Sequence, residues 1–115
     1  MPVVTDRSIV AENLTKFAEQ LATEFDSTRR ARLINLLIEE VNKLGPGLEQ
    51  LDIIDGRIAS GHRLIARQRA LVADLAQDGH DTQLARSVLG SLTHSQTLFE
   101  AYKRQIVDML DSNVL

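Results

Sequence analysis

Between residues 48 and 77 the seam positions fall at Leu51, Ile54, Ile58, Gly61, Ile65, Gln68, Val72 and Leu75, spaced alternately by three and four. That is a heptad seam rather than a general amphipathic stripe, and it predicts one long helix. From Thr82 to the C-terminus the alternation returns at Ala85, Val88, Leu92, Ser95, Phe99, Tyr102, Ile106 and Met109, predicting a second. Folding the chain back between them pairs Leu75 with Ala85, Val72 with Val88, Gln68 with Leu92, and Ile65 with Ser95. The series continues with Gly61 on Phe99, Ile58 on Tyr102, Ile54 on Ile106 and Leu51 on Met109. An a position then faces a d position throughout, as an antiparallel coiled coil requires. Phe99 against Gly61 sets large against small, a reason to keep a mid-helix glycine that costs about 1 kcal/mol relative to alanine.

The segment joining the two seams is Asp78-Gly79-His80-Asp81-Thr82. An αα-hairpin must stop one helix and start the next within a few residues. Gly79 therefore reads as the left-handed residue after the first helix, and Asp81 or Thr82 as the N-cap of the second. A metal or catalytic reading needs further ligands nearby, but His62 and His94 lie about 20 Å or more down the arms at 1.5 Å per residue. Beside the seam, Leu64, Leu71, Leu84 and Leu98 all take the g position on one side. The other side sets Asp55, His62 and Arg69 against Lys103, Gln96 and Leu89. The leucine side needs a cover.

That cover is expected from the N-terminal third. Val10, Leu14, Phe17 and Leu21 mark a helix over about 6–24, and Leu33, Ile34, Leu37, Val41 and Leu44 another over about 28–44. Carrying the first stripe onward lands on Thr28, Ala31, Asn35 and Asn42, so the helix breaks near 25–28. Gly45-Pro46-Gly47 is a hinge or tight turn, with Gly45 a C-cap and Pro46 ending one helix or opening the next. The expectation is a single all-α domain over 1–115: N-terminal helices over 6–44 and an antiparallel hairpin over 47–112 with its turn at 78–82. Gly56 and Gly90 fall on outer f positions, where only a close approach by another helix gives them a purpose.

Composition narrows the function classes. Without cysteine there is no disulfide framework, thiolate zinc site or cysteine nucleophile, which fits a reducing compartment. No apolar run is long enough to span a bilayer and no secretory signal opens the chain, so a cytoplasmic protein without membrane contact is expected. The net charge of −3 is spread evenly, six basic against seven acidic residues up to Pro46 and seven against nine thereafter, so nucleic-acid binding is not expected. The one local basic excess is Arg57, Arg63, Arg67 and Arg69, read first as a solvated helix face.

Signatures of catalysis are sparse. No glutamate is followed three residues later by histidine, as a di-metal helical bundle wants, so Glu39-Glu40 carries no metal reading. No phosphate-cradling loop, nucleophile elbow or His-Glu-x-x-His run occurs, and neither catalytic residues nor cofactor are assigned. Gln68 and Ser95 read as register-fixing polar seam residues. The sharpest chemical alternative is a histidine-phosphotransfer module: Ser60-Gly61-His62-Arg63-Leu64 resembles the core of that motif, with His62 as the reactive group. Ile65 and Ala66 depart from it where lysine and glycine are wanted.

Residues 63–105, and DGHDT above all, resemble a pattern in short bacterial helical proteins of uncharacterised function. The resemblance implies a helical hairpin and a bacterial cytosolic setting, and no site residues. The remaining signal is surplus leucine. Besides the g stripe, Leu48, Leu89 and Leu110 line the e side, and Leu33, Ile34, Leu36, Leu37 and Ile38 make the second helix apolar nearly all round. The expected role is therefore a non-enzymatic interaction or scaffold protein, either a homodimer or bound to a protein partner. Its interaction face is drawn from Leu33, Leu36, Leu37, Leu64, Leu71, Leu84 and Leu98.

Overall fold

The structure, a computed structural model, describes residues 7–45 and 47–113. They form four helices: α1 (Arg7–Thr23), α2 (Ser27–Asn42), α3 (Leu48–Gln77) and α4 (Gln83–Asn113). Each begins or ends for a local reason. The Asp26 carboxylate accepts the Arg29 N–H at 3.0 Å and caps α2, fixing the break where the first stripe loses phase. α2 closes as the N–H groups of Lys43, Leu44 and Gly45 bond to carbonyls three residues back, with Gly45 at φ +80°. Pro46 lies outside the described residues.

The DGHDT stretch is the hairpin turn. Gly79 takes φ +77°, its N–H donates to the Ala76 carbonyl at 3.2 Å, and His80 N–H donates to the Leu75 carbonyl at 2.9 Å. Those two bonds make a Schellman motif, which returns two orphan carbonyls of α3 to hydrogen-bonded partners. At the start of α4 the capping role is divided. The Thr82 carbonyl accepts the Arg86 N–H at 2.8 Å, while the Asp81 carboxylate accepts the Gln83 N–H at 2.9 Å.

α3 and α4 pack antiparallel as a hairpin, and α2 packs on that hairpin, chiefly along α4, with α1 laid on α2. α2 runs alongside α4 in the same direction. Ser27 and Ser91 hydroxyls meet at 2.9 Å near its start, and the Tyr102 hydroxyl donates to Asn42 Oδ1 at its end. α1 packs antiparallel on α2, with Arg7 paired to Glu49 at the start of α3. The core is made by Ile34, Leu37, Val41, Ile54 and Ile106, with Leu21, Phe99 and Tyr102 around them. α2 therefore sits at the centre, between α1, α4 and the start of α3, which is why its Leu33–Ile38 run is apolar nearly all round.

This placement corrects one expectation and refines another. Leu37, proposed for an interaction face, is 1% exposed in the core, and Leu33 and Leu98 pack half-buried against it. The large-on-small layer has a second member: the side chain nearest Gly61 is Gln96, so close that an added Cβ would fall 1.9 Å from its Oε1, and Phe99 lines the same cleft. Gln96 Nε2 donates to the Ile58 carbonyl at 2.8 Å, and Gln68 Nε2 to that of Ala85 at 2.9 Å. Phe99 also joins the core that α2 completes. Heptad spacing tells which face of α4 is apolar, and α2 competes with α3 for that face.

Helix length decides what remains bare. At 1.5 Å per residue α3 and α4 are each about 45 Å long, whereas α1 and α2 reach only about 25 Å. The N-terminal pair therefore covers roughly half the hairpin, and the half that ends in DGHDT projects beyond it. The molecule is accordingly elongated, 62 × 31 × 19 Å.

Candidate functional site

The projecting half of the hairpin keeps a thin seam of its own. Ile65, Val72 and Ala85 are buried between the two helices, with Leu75 and Val88 half-buried. The g side, which α2 covers lower down, is open here. Leu64 is 38% exposed, Leu71 45% and Leu84 79%, and Phe25, from the corner between α1 and α2, is 47% exposed. Phe25, Leu71, Leu75, Leu84, Ala85 and Val88 line one shallow, mostly apolar groove, edged by Gln68 and Asp81. Four of the seven expected face residues are thus surface: Leu36 on the outside of α2, and Leu64, Leu71 and Leu84 on the arm. Phe25 was missed in sequence because it belongs to no stripe, although a large aromatic in a helix-breaking corner is itself a signal.

The remaining candidates scatter. His80 is exposed at the tip and His62 exposed on the e side, where its neighbour Arg63 donates to Ser60 Oγ at 3.2 Å. Neither a lysine nor a glycine follows His62 on that face. Among the described residues no group of three His, Asp or Glu side chains is placed to hold a metal ion. The four arginines do not form one strip, since Arg69 points to the e side and Arg57 is half-buried in the cleft against α1. On the e side Asp55 pairs with Lys103 at 2.8 Å, the facing expected from the seam. Of the two polar seam residues, Gln68 donates across the α3–α4 seam to the Ala85 carbonyl, whereas Ser95 accepts from Arg30 of α2 and donates to Ser91 within α4.

Arg30 is the polar group that sequence reasoning overlooked. It is 4% exposed, and its guanidinium donates from Nε to Ser95 Oγ at 2.8 Å and from Nη1 to the carbonyls of Leu21 and Glu24 at 2.6 and 2.7 Å. No carboxylate lies within ion-pair distance of it among the described residues. The negative end of α1 supplies the countercharge, so Arg30 caps α1 and ties it to α4. Burial holds its pKa below the usual arginine value, with the charge of Glu24 opposing. Ser91 and Ser95, two serines one turn apart on α4, are the trace that such a polar crossing leaves in sequence.

Around the arm, charge is sorted by level. On the outer face of α3, Arg63 and Arg67 lie toward the base and Asp74 toward the tip, with Asp78 at the C-cap just beyond, all exposed. Among the described residues none of the four makes an intramolecular ion pair. No described helix is long and apolar enough to cross a membrane. Comparison with known protein families, curated proteins and solved structures gives no match.

Proposed function

We propose that the protein is a non-enzymatic helical interaction module that associates with itself through the uncovered arm of its hairpin. One observation carries this reading. Leu64, Leu71, Leu84 and Phe25 stand exposed on one side of a two-helix projection whose lower half is covered by the chain's own α2. An isolated pair of helices buries only its seam, and a further helical element laid along the g side removes the rest of that apolar surface from water. Phosphotransfer through His62 keeps an exposed imidazole but gains no neighbouring group suited to it, so self-association is the stronger reading.

Light scattering on the intact chain tests it. A dimer is expected at micromolar concentration, and Leu71→Glu or Leu84→Glu is expected to give a monomer. Leu84→Glu should leave folding stability within about 0.5 kcal/mol of the parent, because the side chain is surface. A monomeric parent chain at a hundred times that concentration overturns the proposal.

A further inference from the structure

Resting on that reading, we infer that the second copy docks antiparallel, α3 against α3, about a two-fold axis passing between Ala70 and Leu71. The argument is a charge palindrome. Arg63 and Arg67 are separated by one turn, as are Asp74 and Asp78, and the midpoint of Arg63 and Asp78 coincides with that of Arg67 and Asp74. At 100° per residue Arg63, Arg67 and Asp74, with Ala70 and Leu71, fall within about a 100° arc of α3, and Asp78 is its C-cap residue, whose N–H bonds to the Asp74 carbonyl at 3.0 Å. A two-fold axis at the midpoint sets Arg67 against Asp74 of the second copy and Arg63 against its Asp78, each twice. Any parallel docking on this face in register would set like charges together.

The remaining geometry agrees. Ala70 puts a small side chain at the axis, where two helices come closest. Around the helix the charged rows lie between Ala70 on one side and, on the other, Leu71, which lines the apolar groove, and exposed Leu64. From the axis to the tip at His80 is about 14 Å at 1.5 Å per residue, which brings the second copy's turn to the level of Gly61. Gly61 and Leu64 share the cleft with Ala18 and Ala22, so this level is where α1 ends. The second copy's arm therefore continues the line of α1 and leaves α1 in place.

Complementary charge swaps test this register. Arg67→Asp and Asp74→Arg are each expected to weaken homodimerisation about tenfold or more, since two symmetry-related pairs turn repulsive at once. Mixing the two variants restores both pairs and is expected to give a heterodimer of parental affinity. Ala70→Cys is expected to form a disulfide-linked dimer under mild oxidation, and His80→Cys to remain unlinked. If the parent dimerises but the mixture does not regain affinity and Ala70→Cys does not cross-link, the register is wrong while self-association stands. If the parent does not dimerise at all, both fail together.

Discussion

Arg30 shows how one buried cation organises three helices. Its fork reaches two carbonyls at the end of α1 and a hydroxyl on α4, so Arg30→Met leaves those acceptors buried without donors. A loss of about 2–4 kcal/mol is expected by urea denaturation, with lysine a poor rescue because it lacks the planar fork. Three helix glycines make a sharper contrast. An added Cβ at Gly56 or Gly90 meets nothing within 4 Å, so neither marks a close approach by another helix of this chain. Gly56→Ala and Gly90→Ala are each expected to stabilise the fold by about 0.5–1 kcal/mol. Gly61→Ala is expected to gain nothing, because its methyl displaces the Gln96 amide from the Ile58 carbonyl. Thermal melts of the three variants rank them directly. Glu40 supplies the pH dependence. Its carboxylate is held below the ordinary 4.5 by the Lys43 hydrogen bond first, with Asn13 and the Lys43 charge adding and burial opposing. A depressed carboxylate stabilises the fold above its unfolded-state value, and that stabilisation disappears as the pH falls through the lowered folded value. Glu40→Gln should therefore lower stability at neutral pH, and the gap to the parent should close as the solution is acidified below that range.

Among the elements, the helices and their ends were legible because each leaves a local chemical mark. The stripes predicted 6–24 and 28–44 where the helices run Arg7–Thr23 and Ser27–Asn42, and Asp26 and Gly45 are the marks that stop and start them. Gly79 is the strongest such mark. Its φ of +77° makes Gly79→Ala cost about 1–2 kcal/mol, checked by the same melts, while substitution of the neighbouring His80 costs little. What the stripes did not carry was the partner of each face. The α4 seam reads the same whether Phe99 and Tyr102 look at α3 or at α2, and a run such as Leu33–Ile38 reads as surplus whether it is central or exposed. Helix length was the unused clue: a 17-residue and a 16-residue helix do not cover 30- and 31-residue arms. The candidate site follows from that mismatch. Leu64, Leu71 and Leu84 were legible as its residues, whereas Phe25 and the charge palindrome needed the fold to show which face stays open.

At the scale of the molecule, the chain is a bundle at one end and a bare helical pair at the other. The bundle end closes on its own core of Ile34, Leu37, Val41, Ile54 and Ile106. The bare end carries exposed leucines beside segregated charge, and the proposed two-fold docking of like arms would pair that charge and cover Leu71 beside it. Hydrogen exchange followed as a function of protein concentration tests this most directly. With dimerisation, backbone amides over 64–75 should exchange more slowly as concentration rises, while those over 97–106, inside the bundle, should not change. Exchange over 64–75 that is independent of concentration across the micromolar range would contradict it.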